Sequence, residues 1–134
     1  MRTNEDKIIR ALIIDDDIDT CILLSRILIK NEIKSLSVNT LHDAENLYET
    51  INPSLIFIDN NLPDGYGLNF LSFLKEKFPY AQIVMVTAHS SDYSKRTALL
   101  KGAEFFIEKP FSSDDINKII NSLSTNYKDD MQDA

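Results

Sequence analysis

The chain reads Leu55-Ile-Phe-Ile-Asp59 near its centre, a run of four apolar residues that ends at a carboxylate. Three other apolar, β-prone runs also lead into polar side chains: Ala11-Leu-Ile-Ile14 before Asp15 and Asp16, Ile83-Val-Met-Val86 before Thr87, and Phe105-Phe-Ile107 shortly before Lys109. Short apolar runs of this kind, separated by helical segments, are typical of strands in a parallel sheet that is covered on both faces.

Helical segments alternate with these strands along the whole chain. Strands are predicted at 8–14, 35–38, 54–59, 82–87 and 104–108. A first helix is predicted over 18–31 after an Asp17 N-cap, with a core face made of Ile18, Cys21, Ile22, Ser25, Leu28 and Ile29. Later helices are predicted from Thr40 to a stop at Asn52-Pro53, through Leu68–Phe78, over 91–101, and after Ser112 or Ser113. Strict alternation predicts an α/β, doubly wound fold with helices on both faces of the sheet.

The length of 134 residues fits one domain with a sizeable core. We expect a polar N-terminal extension at residues 1–7, one domain at 8–123, and a flexible acidic tail at 124–134. The tail does not resemble a linker or the start of a DNA-binding domain, so the sequence favours a stand-alone domain over a piece of a longer chain.

Charge and composition exclude several classes of function. The formal net charge is −7, from 14 Lys+Arg against 21 Asp+Glu, which argues against direct binding of nucleic acid or of an anionic membrane. No apolar stretch is long enough to span a membrane. Cys21 is the only cysteine, so an internal disulfide is impossible, and a cytoplasmic protein is expected.

The polar side chains at the strand ends predict a single site. Ligands of an open α/β sheet bind beyond the carboxyl ends of its strands, so Asp15, Asp16, Asp59, Thr87 and Lys109 should converge there. Crowded carboxylates repel one another unless a cation is present, and Mg²⁺ prefers such hard oxygen ligands. An aspartate can also act as a nucleophile toward phosphorus, which makes Asp59 a candidate acceptor of a phosphoryl group.

Four motifs in this order resemble those of the receiver (CheY-like) domain of bacterial two-component response regulators. They are Leu12-Ile-Ile-Asp-Asp-Asp17; Leu55-Ile-Phe-Ile-Asp59 with Leu62-Pro-Asp-Gly65 and Gly67-Leu68; Val84-Met-Val-Thr-Ala88; and Gly102-Ala103 through Glu108-Lys-Pro-Phe111. The resemblance covers roughly residues 8–123. It implies a flavodoxin-like (βα)5 fold whose five-stranded parallel sheet has the order 2-1-3-4-5.

The resemblance also implies roles for individual residues. Asp59 would be the phosphoacceptor, and Mg²⁺ would be held by Asp15, Asp16, Asp59 and the backbone carbonyl of Asn61. Thr87 and Lys109 would hold the phosphoryl oxygens, with a Lys109-Pro110 bond that is typically cis in the family. Two further pairs of positions complete the implied site: Thr87 and Phe106 as the switch, and Asn61 and His89 as positions that tune the lifetime of the phosphate.

The implied function is signalling rather than enzymatic turnover. A sensor histidine kinase or phosphotransfer protein would phosphorylate Asp59, and the only activities of the domain would be Mg²⁺-dependent self-phosphorylation and dephosphorylation. The surface made by the fourth helix, fifth strand and last helix would then control an unknown downstream protein target or a fused output domain. We expect a monomer or weak dimer that contacts no nucleic acid and no membrane directly.

Three other interpretations remain open. A small phosphatase that forms an aspartyl phosphate would often carry an Asp-x-Asp nucleophile motif, which Asp59-Asn60-Asn61 is not. A flavin-binding module of the same topology would want a phosphate-binding loop after the first strand, where Asp15–Asp17 would repel the ligand. A degenerate receiver that serves only as a protein-interaction module would keep the fold without the chemistry.

Overall fold

The computed structural model of the protein describes residues 9–133, with their side chains through residue 123. The strands are β1 (Ile9–Ile14), β2 (Lys34–Val38), β3 (Leu55–Ile58), β4 (Asn61–Leu62), β5 (Gly65–Tyr66), β6 (Gln82–Thr87) and β7 (Phe105–Glu108). The helices are α1 (Ile18–Lys30), α2 (Leu41–Glu45), α3 (Gly67–Lys77), α4 (Asp92–Leu100) and α5 (Ser113–Asp133). The predicted N-terminal extension at 1–7 lies outside the described residues.

A five-stranded parallel sheet of order β2-β1-β3-β6-β7 organises the fold. This order confirms the predicted 2-1-3-4-5 topology, because the short antiparallel hairpin β4-β5 lies outside the main sheet and shifts only the labels. The register pairs Ile14 with both Val38 and Ile58, and it pairs Ile58 with Met85. The carboxyl ends of the central strands are therefore level with one another.

Both faces of the sheet are covered, so the strands carry apolar side chains in both directions. One face contributes Ile14, Ile58 and Met85 to a core cluster under α3. The other face contributes Ile13, Phe57 and Val84 to a second cluster under α1 and α5. Successive side chains of a strand point to opposite faces, and this explains why all four residues of β3 are buried.

The predicted core face of α1 is wrong for three of its six residues. Ile18, Ile22 and Ile29 are 57%, 44% and 67% exposed. The residues that α1 buries are Thr20, Cys21, Leu24, Ile27 and Leu28. The helix carries apolar side chains on both faces, so periodicity alone does not say which face meets the sheet.

Two other predicted element ends differ from the observed ones. The second helix is shorter than predicted: α2 ends at Glu45, and the chain continues in turns in which Leu47 N–H donates to Ala44 O and Thr50 N–H donates to Leu47 O. These two hydrogen bonds span three residues instead of the four of an α-helix, although the Ile51 N–H still donates to Leu47 O.

The last helix is longer than predicted. α5 continues through Asp133, where the sequence had predicted a tail from residue 124, because neither proline nor glycine interrupts this segment. The predicted flexibility of residues 124–134 stays a prediction. Within residues 9–133, no helix combines the length and the apolar character needed to cross a membrane.

Candidate functional site

Acidic side chains gather at the carboxyl edge of the central strands. Asp15 follows β1 and Asp59 follows β3, and the backbone N–H of Asp59 donates to the carbonyl of Ile14 at 3.0 Å. One carboxylate oxygen from each of Asp15, Asp16 and Asp59 lies within 4.8 Å of the other two. The convergence of these three carboxylates, predicted from their places at strand ends, is confirmed.

The ammonium of Lys109 reaches the same cluster from the loop after β7. Its Nζ lies 2.9 Å from Oδ2 of Asp15, 3.6 Å from Oδ2 of Asp59 and 4.0 Å from Oδ2 of Asp17. The backbone N–H of Lys109 donates to the carbonyl of Thr87 at 2.9 Å, which ties this loop to the end of β6. The Lys109-Pro110 peptide bond is cis, as the resemblance implied.

Opposing effects act on the pKa of Asp15. The residue is only 2% exposed, and this burial raises the pKa of its carboxyl group above the ordinary value. Hydrogen bonds from the Asp17 N–H and from Lys109 lower that pKa, while the nearby charge of Asp59 raises it further. Burial is the largest of these effects, so the charged form of Asp15 is held in the site at a cost in free energy.

Lys109 is charged in this environment for a different reason. Burial disfavours its ammonium, but the hydrogen bond that it donates to Asp15 and the attraction of Asp15, Asp59 and Asp17 outweigh that effect and raise the pKa of Lys109. The ammonium faces several carboxylates, whereas each carboxylate shares this one ammonium with its neighbours. The pKa of Asp15 and the pKa of Lys109 can therefore both lie above their ordinary values.

The carboxylates suit a hard divalent cation. Opposite ligands of a Mg²⁺ ion lie about 4.2 Å apart and those of a Ca²⁺ ion about 5 Å apart. The observed upper limit of 4.8 Å between carboxylate oxygens is close to both values. Asp15 and Asp59 are buried while Asp16 is exposed, so the cluster is open to solvent on the side of Asp16.

Thr87 and Phe106 lie on one face of neighbouring strands. β6 and β7 pair Met85 with Phe106 and Thr87 with Glu108. Since alternate residues of a strand share a face, Thr87 lies on the same face as Met85 and therefore as Phe106. Thr87 is 1% exposed, and Phe106 packs against the core cluster that contains Met85 and Ala98.

Asn61 and His89 lie in exposed positions beside the site residues. Asn61 is the first residue of β4, and His89 lies in the loop between β6 and α4. The backbone N–H of His89 donates to Oγ1 of Thr87 at 3.4 Å. The structure thus brings Asp15, Asp16, Asp59 and Lys109 into one cluster. Asn61 and His89, which were predicted to tune the lifetime of the phosphate, follow Asp59 and Thr87 closely in the sequence.

Sequence reasoning missed other residues that shape the site. Asp17 was predicted only as an N-cap; it does accept hydrogen bonds from Asp19 and Thr20, and its carboxylate also faces Lys109. Asn60 and Asp64 were not singled out, although both bind backbone N–H groups of other segments. An asparagine or aspartate in a turn-rich stretch is a signal for side chain–backbone hydrogen bonds, but it does not name the partner.

Comparisons with known proteins identify relatives of this chain. A family model described as the response regulator receiver domain matches residues 11–121. The chain is 30% identical over 112 residues to the chemotaxis protein CheY of Listeria monocytogenes, covering 79% of this chain and 90% of that protein. It is 35% identical over 108 residues to the nitrogen assimilation regulatory protein NtrX of Azorhizobium caulinodans, covering 77% of this chain and 23% of that protein.

Solved structures agree with this relationship. The beryllofluoride-activated NtrC4 receiver domain dimer matches with a TM-score of 0.82 and 33% identity, covering 88% of this chain and 98% of that one. A CheY-like receiver domain protein from Methanospirillum hungatei JF-1 matches with a TM-score of 0.81 and 27% identity, covering 90% and 97% of the two chains. The chain spans only about a quarter of the larger regulators that it matches, such as NtrC of Proteus hauseri at 25%. With its sheet order, its clustered carboxylates and the family match in agreement, the chain belongs to the response regulator receiver domain family.

Proposed function

We propose that the protein is a phosphoacceptor whose Asp59 takes a phosphoryl group from the phosphohistidine of a sensor histidine kinase or phosphotransfer protein. The observation that carries the proposal is the buried Asp59 carboxylate, 6% exposed, beside the Lys109 ammonium at 3.6 Å and within 4.8 Å of two other carboxylates. This arrangement offers a nucleophile and positive charge at one edge of the sheet.

The transfer follows from the chemistry of these groups. An oxygen of Asp59 forms a bond to phosphorus as the phosphorus–nitrogen bond of the donor breaks, and the donor's imidazole keeps that electron pair and takes a proton. Lys109 and the Thr87 hydroxyl hold the transferred phosphoryl oxygens. Asp15, Asp16, Asp59 and the Asn61 carbonyl would hold Mg²⁺, which when bound would neutralise charge between the anionic carboxylate and phosphoryl oxygens.

The new phosphate would be read out through Thr87 and Phe106. When Thr87 moves toward the phosphoryl group it vacates space on the face it shares with Phe106, which then moves inward. This local change biases the surface made by α4, β7 and α5 between two states. The weak docking of α4, which buries only Ala98, supports a helix that shifts at little cost.

We propose that this surface controls a downstream protein or a fused output domain, in the cytoplasm and as a monomer or weak dimer. Direct contact with nucleic acid or membrane is not part of the proposal, since the net charge is −7. We also propose that the domain turns over no separate substrate and catalyses only its own phosphorylation and dephosphorylation. His89 and the Asn61 side chain, exposed beside the site, would tune the lifetime of the phosphate.

The test is the incorporation of label from acetyl phosphate. Wild type with Mg²⁺ is expected to take up label as an acyl phosphate, and Asp59→Asn is expected to take up none. Asp43→Asn, a change of the same kind at an exposed position of α2, serves as the matched control and should label like wild type. Equal labelling of Asp59→Asn would contradict the proposal, because the acceptor would then be another residue. No labelling of wild type would also contradict it and would favour a degenerate receiver. Steady hydrolysis of added phosphate esters would favour the phosphatase instead.

A further inference from the structure

The loop after Asp59 is a small hairpin that carries one of the proposed metal ligands. β4 and β5 pair Asn61 with Tyr66 and Leu62 with Gly65. The ligand in question is the backbone carbonyl of Asn61, and a main-chain carbonyl has no side chain of its own to orient it. Its position depends on whatever holds the hairpin between β3 and α3.

Asn60 holds the base of the hairpin. Its side-chain Oδ1 accepts a hydrogen bond from the Leu68 N–H at 3.0 Å, and its backbone carbonyl accepts one from the Gly67 N–H at 2.8 Å. These two hydrogen bonds join Asn60, which follows Asp59 in the chain, to the first two residues of α3. The N-cap residue of α3, Tyr66, makes no side-chain capping bond, so Asn60 performs that role from across the loop.

Asp64 holds the tip of the same hairpin. Its Oδ1 accepts a hydrogen bond from the Leu41 N–H and its Oδ2 accepts one from the His42 N–H, each at 2.9 Å. Both carboxylate oxygens thus bind the first turn of α2. These bonds favour the ionised carboxylate and lower the pKa of Asp64.

We propose that Asn60 and Asp64 are positioning residues that set the Asn61 carbonyl in place for the divalent cation before the cation binds. Neither side chain contacts the cation. Anchored at its base to α3 and at its tip to α2, the hairpin is ordered on folding, so binding the cation does not require a further loss of loop entropy. The inference rests on the metal site of the proposed function and adds the two residues that prepare it.

Asn60→Ala tests the base of the hairpin. It is expected to weaken Mg²⁺ binding, measured by calorimetry, by about tenfold, the lower end of what loss of a residue supporting a metal ligand costs. In the metal-free protein, the Leu68 amide is expected to exchange its hydrogen about fivefold faster. Asn60→Asp keeps an acceptor and should restore slow exchange, and Asn69→Ala, an exposed change in α3, should leave both measurements as in wild type.

Asp64→Ala tests the tip of the hairpin. It also keeps the inference testable if Asn60→Ala fails to fold. The substitution removes a negative charge, which by itself reduces attraction of a cation. Asp43→Ala removes an equal charge from an exposed position in α2. Asp64→Ala is therefore expected to lower the Mg²⁺ affinity severalfold more than Asp43→Ala does.

The outcomes separate this inference from the proposed function. If Asn60→Ala and Asp64→Ala unfold at lower temperature yet bind Mg²⁺ as well as their controls do, the two residues are only structural and the inference is wrong. If wild type binds no Mg²⁺, there is no site to prepare, and both the inference and the metal role fall. If Mg²⁺ binding behaves as expected but Asp59 accepts no phosphate, the proposed function fails while the inference stands.

Discussion

Gly67 lies against the backbone of Asp59, the proposed phosphoacceptor. A Cβ atom built at Gly67 would lie 2.3 Å from the carbonyl oxygen of Asp59, far inside van der Waals contact. The obstacle is backbone rather than the end of a flexible side chain, so it cannot turn aside. The start of α3 and the end of β3 can approach this closely only because residue 67 has no side chain.

Gly67→Ala should therefore disturb stability and phosphorylation together. We expect a loss of about 1–3 kcal/mol in the free energy of unfolding, the usual cost of overpacking. We also expect slower labelling of Asp59 from acetyl phosphate, because the backbone of Asp59 must shift. Denaturant unfolding and the labelling rate measure the two effects. Ser72→Ala, an exposed change in the same helix, is the control, and a Gly67→Ala variant that matched it in both assays would show that the contact is relieved at no cost.

Residue identity explains which parts of the site could be predicted. Asp15, Asp59 and Lys109 follow apolar strands directly or nearly so, and the shared edge of a parallel sheet then fixes where they meet. Asn60 and Asp64 escaped prediction because their partners, Leu68 and the first turn of α2, depend on how the intervening loop folds back. A hydrogen bond between a loop side chain and a distant backbone leaves no periodic signal in the sequence.

Among the elements, α1 illustrates how far periodicity reaches. Its start after the Asp17 N-cap was predicted correctly, because capping is a local interaction. Its core face was not, because Ile18, Ile22 and Ile29 form a second apolar stripe that competes with the buried one. The short connection from β1 and the packing against β2 and α5 decide between the two stripes, and those contacts are set only in the folded chain.

Two substitutions in α1 test which stripe is buried. Leu24 is 0% exposed, so Leu24→Ala should lower the free energy of unfolding by about 2–5 kcal/mol. Ile29 is 67% exposed, so Ile29→Ala should lower the free energy of unfolding by less than about 0.5 kcal/mol. Urea unfolding of the two variants beside wild type makes the comparison. Equal costs, or a larger cost at Ile29, would mean that the helix is rotated from the orientation described.

For the molecule as a whole, alternation of strands and helices carried most of the information. Right-handed crossovers limit such a chain to few topologies, and the observed order β2-β1-β3-β6-β7 is the one that the resemblance implied. The hairpin β4-β5 was missed because two-residue strands are shorter than any periodic pattern. The acidic cluster lies at the carboxyl edge of the sheet. Its burial and the mutual repulsion of its carboxylates raise the free energy of the folded chain when no cation is bound.

That cost predicts that Mg²⁺ stabilises the entire fold. A ligand that binds only the folded chain adds about 2.7 kcal/mol at a concentration one hundred times its Kd. Wild type should therefore melt at a higher temperature in Mg²⁺ than in a chelator.

Asp16→Asn removes an exposed carboxylate from the cluster. It relieves repulsion, so the variant should melt above wild type in the chelator; it also removes a ligand, so the variant should melt below wild type in saturating Mg²⁺. Asp43→Asn changes a carboxylate of α2 that is not a member of the cluster, so this variant should gain as much from Mg²⁺ as wild type does. Melting curves recorded in both conditions at one ionic strength test the reversal, and a difference of constant sign between Asp16→Asn and wild type would show that Asp16 does not share a cation with Asp15 and Asp59.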